Sequence, residues 1–355
     1  MGRTITRNLL GLAGVVVAAA TVGASLMAAA AELRAPVASR AASSGLCERY
    51  SGLPTESGPQ GGMVRVAGGR FSMGSDHHYA DEAPAQEAVV EPFWIDRHDV
   101  TNAQFARFVA ATGHVTVAER AATAMGVHQS VATSAVFVMP QGRQAGTWRL
   151  VPGADWRHPQ GPASSIEGLD NHPVVQVAYD DALAYARWLG RELPTEAQWE
   201  FAARGGLQAQ PYVWGDRFAP EGRAMANTWQ GAFPLVNSAD DGFAGTSPVG
   251  CFPANGYGLF DMAGNVWQWT ATVYASARER GTGFNPGRPA DTLAQRAAAA
   301  GTAPARVIKG GSHLCAPSVC MRYRPSARQP AEAGLGTSHI GFRTVAPVLT
   351  TTASR

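Results

Sequence analysis

The chain has 355 residues, room for one large domain or two ordinary ones, and its 45% hydrophobic content suffices for a buried core. Forty Gly and 23 Pro argue against a helical bundle and for a loop-rich fold. A formal charge of +2 gives no basis for nucleic acid or another polyanion as a partner.

Arg3 and Arg7 precede an apolar run from Leu9 to about Ala31, and Met27-Ala-Ala-Ala-Ala31 offers small residues for a signal peptidase. Residues 1–32 read as a secretory signal. An uncleaved N-terminal anchor is the second reading, because ~20 apolar residues can span a bilayer. A membrane partner is expected only in that second case. Either way the body is exported, to a periplasm or the exterior, where disulfides persist. Residues 33–62 are small, polar and Pro/Gly-punctuated, a linker that carries Cys47. Residues 63–349 form the main domain and 350–355 a tail.

Within the domain, Met63 to Gly74 alternates apolar and polar residues around Gly68-Gly69 and predicts a hairpin. Glu91 to Asp96 is a further short strand. Thr101 followed by Gln104 is a capping-box pattern that starts a helix, and Gly113 closes it. Residues 118–166 read as irregular. Pro173 to Val177 reads as a buried strand. A second helix runs from about Asp180 to Leu189. A third starts at Thr195, with Gln198 in the capping-box position, and ends at Gly205-Gly206. Few helical signals follow. Residues 276–304 look like a surface excursion, and Ile340 to Val345 is a closing strand. One α+β domain with little regular secondary structure fits this pattern.

Two of the four cysteines, Cys315 and Cys320, lie in a segment between Gly310-Gly311 and Arg322-Tyr-Arg324. In an exported chain the bland reading is a disulfide. A five-position offset closes only a tiny loop, so such a staple constrains the unfolded chain little. Two thiolates also suit a soft ion of low coordination number, with Cu(I) the natural candidate. Zinc would want four ligands, and His313 and His339 are available. Arg322 and Arg324 should lower the thiol pKa values. Spacing alone leaves the staple and the metal or redox reading in balance. Asn227, Asp240, Asp241 and Asp261 in Gly-rich turns suit a hard cation such as Ca²⁺, and equally suit ordinary Asx turns. Cys47 and Cys251 are either a disulfide or two free thiols.

Several segments together resemble the formylglycine-generating enzyme (sulfatase-modifying factor) family. They include Phe71-Ser-Met-Gly74, Trp156-Arg-His-Pro159, Leu193-Pro-Thr-Glu-Ala-Gln-Trp-Glu200, Asn255-Gly-Tyr-Gly-Leu259, Gly264-Asn-Val-Trp-Gln-Trp-Thr270, Gly310-Gly-Ser312 and Gly341-Phe-Arg343, with Cys315 and Cys320 ahead of Arg322-Tyr-Arg324. The resemblance runs from about Met63 to Val345. It implies a C-type-lectin-like fold and the oxidation of a client sulfatase cysteine to Cα-formylglycine with O₂ and Cu(I). The client would be an unfolded or extended segment carrying Cys-x-Pro-x-Arg.

By the same resemblance Cys315 and Cys320 are the copper ligands, Ser312 an active-site serine and Trp267 an aromatic lining the site. Asn227, Thr228, Asp241 and Phe243 match one calcium site, the second and fourth through backbone oxygens. Asp261, Gly264, Val266 and Gln268 match another. The chain departs from the pattern at Ala316 to Val319, where relatives carry a His and a Tyr. It departs also at His339, where an Asn is common, and at Gln268, which replaces an acidic ligand and should weaken the second calcium site. Two other readings use the same scaffold: an exported non-catalytic binding module, and a maturation enzyme with another client.

Overall fold

The computed structural model describes residue 47 and residues 49–120, 133–276 and 303–348. The leader, the C-terminal tail and most of the expected surface excursion lie outside the described residues. Among those described, no helix is long and apolar enough to cross a membrane.

The strands are β1 (Met63–Val66), β2 (Gly69–Met73), β3 (Gln86–Val90), β4 (Phe93–Asp96), β5 (Thr133–Val138), β6 (Thr147–Pro152), β7 (Trp267–Val273), β8 (Arg306–Lys309), β9 (Arg328–Ala331), β10 (Ile340–Gly341) and β11 (Val345–Pro347). They form a three-stranded sheet β1-β4-β11, a four-stranded sheet β10-β7-β8-β9 and the two ribbons β2-β3 and β5-β6. Pairing is antiparallel except between β10 and β7.

Three helices behave as their end signals predict. Helix α1 (Asn102–Thr112) starts at a capping box, in which Gln104 N–H donates to Thr101 Oγ1 (3.2 Å) and Thr101 N–H to Gln104 Oε1 (2.9 Å). It stops at Gly113 with φ 67°. Helix α3 (Glu196–Arg204) repeats the device with Thr195 and Gln198 and stops at Gly205. Helix α2 (Tyr179–Trp188) follows Ala178, which has no capping side chain. The Asp181 carboxylate accepts the Ala178 N–H instead (3.0 Å), and its charge favours the helix start. Phe105 and Phe108 of α1 are buried against Tyr185 of α2, Trp156 and Phe342.

Four expectations change. Met63 to Gly74 is not a hairpin, because β1 pairs with β4 and β2 with β3. Gly68 makes the step between the two sheets: its φ is 70°, and a Cβ there would fall 2.3 Å from Val90 O. Pro173 to Val177 is buried but forms no strand, only an isolated bridge from Pro173 to Thr101. Its amides go to loops instead, Val174 N–H to Val100 O and Gln176 N–H to Thr337 O, and Gln176 holds φ 62°. The irregular stretch 118–166 contains the ribbon β5-β6. The single closing strand is two short ones, β10 in the four-stranded sheet and β11 in the three-stranded sheet, so the last segment joins both.

Residues 50–62 pack on the domain rather than hang free of it. Cys47 is disulfide-bonded to Cys251. The hydroxyl of Thr101 donates to Gly52 O, and the Arg191 guanidinium donates to Pro59 O (2.7 Å), Gly61 O (3.1 Å) and Asp96 (2.8 Å). His98 is buried, with Nδ1 2.7 Å from Asp99 O and Nε2 3.0 Å from the Tyr50 hydroxyl. A carbonyl only accepts, so Nδ1 carries the proton and Nε2 accepts from Tyr50.

Burial pushes the His98 pKa down to about 4. The unfolded chain therefore takes up that proton first. The stabilisation is complete above the ordinary histidine value and is lost as pH falls through the window from about 6.5 to about 4. At ~1.4 kcal/mol per unit this amounts to about 3 kcal/mol. Denaturation midpoints measured from pH 7.5 to 4.5 should fall less steeply in His98→Gln than in the natural chain.

Candidate active site

The segment that carries the cysteine pair begins where β8 ends. Gly310 (φ 96°) and Gly311 (φ 73°) turn the chain back, and neither position has room for a side chain. A Cβ at Gly310 would meet the Trp199 ring at 3.1 Å, and one at Gly311 would meet Tyr323 N at 2.9 Å. Two tight turns follow. Cys315 N–H donates to Ser312 O (2.9 Å), and Cys320 N–H donates to Ala316 O (2.9 Å). The second turn brings the two side chains near enough to influence each other, and both cysteines are free.

The two sulfurs are not equivalent. Cys315 is buried and Cys320 is partly exposed. The Arg-rich flank lowers both thiols through the Arg322 N–H, as the sequence predicts, but only Cys320 ends below its ordinary value. Burial pushes Cys315 well up, helped by its contact with Cys320. Cys320 is pulled down, first by the Cys315 hydrogen bond, then by the Arg322 N–H and the charges of Arg322 and Arg324. The two sulfurs thus shift in opposite directions, Cys315 toward the thiol and Cys320 toward the thiolate.

Around the pair, Ser312 is buried and its hydroxyl accepts the Leu314 N–H (3.2 Å). Trp267, buried at the start of β7, belongs with Cys315 and Tyr323 to one apolar core. Leu314 and Ala316 pack with Phe137 and Trp229 in a second, smaller cluster, and Trp229 N–H donates to Cys315 O (3.0 Å). Val319 and Met321 are exposed on either side of Cys320. His313 donates from Nδ1 to Asn265 O (2.8 Å), and His339 Nδ1 lies 3.1 Å from Thr337 Oγ1. Among the described residues no group of three or more His, Cys, Asp or Glu is placed to hold a metal, so the zinc set is not assembled.

Sequence reasoning missed the clasp that holds this segment, which lies some 240 positions upstream. Tyr79 OH accepts the Met321 N–H (3.2 Å), and the Arg322 guanidinium stacks on the Tyr79 ring (4.1 Å). Asp81 pairs with Arg322 (2.9 Å). Glu82 accepts Arg324 through both oxygens (2.5 and 3.1 Å) and the Ser326 hydroxyl (2.6 Å). The adjacent acids Asp81-Glu82, set against the basic run from Arg322 to Arg328, were the available signal. Such charge complementarity names no pairing by itself.

The first set of calcium candidates comes together. Asp241 accepts the N–H groups of Thr228 (2.9 Å) and Phe243 (3.1 Å). Asn227 Nδ2 donates to Gly245 O (2.9 Å), while the buried Asn227 Oδ1 has no partner. An orphaned buried oxygen, with a carboxylate bound to the next residue's N–H and raised in pKa by burial, fits a site for a hard cation. The second set does not fit. Gln268 Oε1 already accepts Trp199 Nε1–H (2.6 Å) and Arg343 Nε–H (2.8 Å), and Asp261 O accepts Gln268 Nε2–H (2.8 Å).

Two unbridged thiols, one buried and one partly exposed, on a loop-dominated α+β scaffold have the chemistry to undergo thiol redox reactions or to hold a soft metal. Comparison with known proteins gives the scaffold a lineage: residues 51–348 match the sulfatase-modifying factor enzyme 1-like domain, and the chain belongs to that family. It is 50% identical over 296 residues to the formylglycine-generating enzyme of Mycobacterium tuberculosis, covering 80% of this chain and 97% of that one. It is 46% identical over 292 residues to that of Thermomonospora curvata, covering 81% and 94%. The structure of PvdO from Pseudomonas aeruginosa shares the fold, with a TM-score of 0.55, 26% identity and coverage of 80% and 93%. The low-regularity α+β fold expected from the sequence is therefore the family's own.

Removing the Glu82 carboxylate would leave Arg324 buried without its partner. Glu82→Ala should cost on the order of 3–5 kcal/mol in chemical denaturation. The exposed Arg70–Glu87 pair is the control. Glu87→Ala should change stability by about 1 kcal/mol or less.

Proposed function

We propose that the protein is an exported enzyme that oxidises a cysteine of a client sulfatase to Cα-formylglycine, using O₂ and copper held by Cys315 and Cys320. The observation that carries this reading is the free, unequal thiol pair set in the family's segment. The Cys47–Cys251 disulfide supports the exported location.

The donor set suits copper(I), which is soft and content with two sulfurs. When bound there, copper supplies the electron transfer that activates O₂. The chain's own residues do the rest. Cys320, the partly exposed member of the pair, is the sulfur an incoming client thiol can reach. Val319 and Met321 offer apolar contact to the extended client on either side of it. Ser312 accepts the Leu314 N–H, which leaves its own proton to donate to the arriving sulfur. Buried Tyr323, close enough for both cysteines to act on its titration, helps exclude water from the pair, and Trp267 belongs to the same apolar core. In the net reaction the client Cβ loses two electrons, its sulfur leaves as sulfide, and an external thiol supplies the two further electrons that reduce the second oxygen atom to water. Calcium at Asn227, Thr228, Asp241 and Phe243 would brace the loop that leads to Trp229.

The purified protein, loaded with Cu(I) and given a Cys-x-Pro-x-Arg peptide, O₂ and a thiol reductant, should convert the peptide to an aldehyde with the matching mass loss. Cys315→Ser and Cys320→Ser should each fall to the uncatalysed background. A peptide left unmodified by the loaded natural chain would overturn the reading.

A further inference from the structure

We propose that the loop from Asp261 to Gln268 is closed by the chain's own guanidinium and amide, Arg343 and Gln268, in place of a second calcium. The protein would then hold one calcium ion, at the loop from Asn227 to Phe243.

The argument starts with which way the Gln268 amide faces. Its carboxamide oxygen meets two N–H donors, Trp199 Nε1 at 2.6 Å and Arg343 Nε at 2.8 Å. Neither donor can accept, so an amide nitrogen cannot occupy that place. The NH₂ group must therefore face the loop, where it donates to Asp261 O at 2.8 Å. A cation entering the loop would meet N–H hydrogens where a carboxylate would present an oxygen.

The same loop already holds a positive charge. Arg343 is fully buried. Its guanidinium donates to Phe260 O (2.8 Å), Asp261 O (3.2 Å) and Asp96 O (3.1 Å), and lies 3.5 Å from Asp99 Oδ1. These are hard oxygen donors, the kind calcium would seek, and they are engaged by a fixed organic cation. The Asp261 side chain itself accepts the Gly250 N–H (2.7 Å). Asn265 completes the brace, exchanging two hydrogen bonds with the Ser247 backbone (3.0 and 3.1 Å).

The loop from Asn227 to Phe243 is built differently. Here too an amide faces the loop, with Gln230 Nε2–H donating to Thr228 O (3.1 Å) and Asp241 (3.4 Å), but no charged group is among the described hydrogen-bond donors to Asp241 and the buried Asn227 oxygen is orphaned. One loop carries an internal cation and the other lacks one. The count of one calcium rests on the calcium reading of this first loop, whereas the exclusion at the second does not.

The test is calcium stoichiometry. Full-length protein is stripped with chelator and titrated with CaCl₂ by calorimetry. The natural chain should bind one ion, and Asp241→Asn should bind none. Gln268→Glu should bind two, because one carboxylate oxygen keeps Trp199 and Arg343 while the other faces the loop and frees Asp261 O from the amide N–H, giving calcium the charge to compete with Arg343 there. Thermal melts with and without CaCl₂ give a second readout: the increment seen in the natural chain should vanish in Asp241→Asn. Two ions in the natural chain would overturn the proposal, as would a single ion that survives Asp241→Asn, or no gain in folded Gln268→Glu. No ion in the natural chain with one in Gln268→Glu would uphold the exclusion at Gln268 and sink the calcium reading of the first loop.

Discussion

Lys309 has no exposed surface, and a buried ammonium is tolerable only where anions surround it. It lies 3.0 Å from Glu200 and 3.7 Å from Glu196, on the inward face of α3. Glu200 also accepts the Arg204 guanidinium (2.7 Å) and the Gly74 N–H (2.8 Å). Glu196 holds Arg328 of β9 through both oxygens (2.7 and 3.1 Å). One buried charge thereby fixes β8 against α3, α3 against the end of β2, and β9 against both. Aromatic faces and carbonyls share the positive charge: Trp199 beneath Lys309, Tyr274 beneath Arg328, and Ala275 O accepting from Arg328 (2.8 Å). The Gly310-Gly311 turn starts one residue after Lys309, so the site begins beside a buried, doubly paired charge.

The cysteine segment extends the same principle outward. Arg322 and Arg324 would be costly to bury unpaired, and the loop bearing Tyr79, Asp81 and Glu82 closes over them. Their charge is largely spent on those partners. Cys320 is still pulled down, first by its contact with Cys315 and then by the two arginines, whereas burial pushes Cys315 the opposite way. The two sulfurs therefore differ in access as well as in acidity: Cys315 is enclosed and Cys320 is partly open to solvent.

What could be read from the sequence was what depends on neighbours in the chain. Thr101 with Gln104 and Thr195 with Gln198 mark their helices because capping is settled within four residues. The fold and the cysteine pair were legible through the family's segments, which compress long-range information into local spelling. Strand partners were not legible. The step at Gly68 between two sheets, and the split of Ile340 to Val345 into β10 and β11, depend on residues far away. The clasp was invisible for the same reason. So was the orientation of Gln268: an acid-to-amide change announces a weaker ligand. Only the two donors at Oε1 show that its oxygen faces away from the loop.

The two cysteine pairs of this chain, one closed and one open, differ in what closure would gain. The Cys47–Cys251 bond spans 204 positions. In the chain-entropy account a loop of that length removes roughly 5 kcal/mol of unfolded-state freedom, against roughly 2 for the short loop between Cys315 and Cys320. The long bond also pins residues 50–62, already held by Arg191, Thr101 and His98, to the turn at Cys251. The short one would join two positions that the Ala316–Cys320 turn already holds together, adding little that the backbone has not supplied. Stability therefore draws on the first pair and is nearly indifferent to the second. A dithiol that the fold does not need oxidised is one whose sulfurs remain available for a ligand or a substrate.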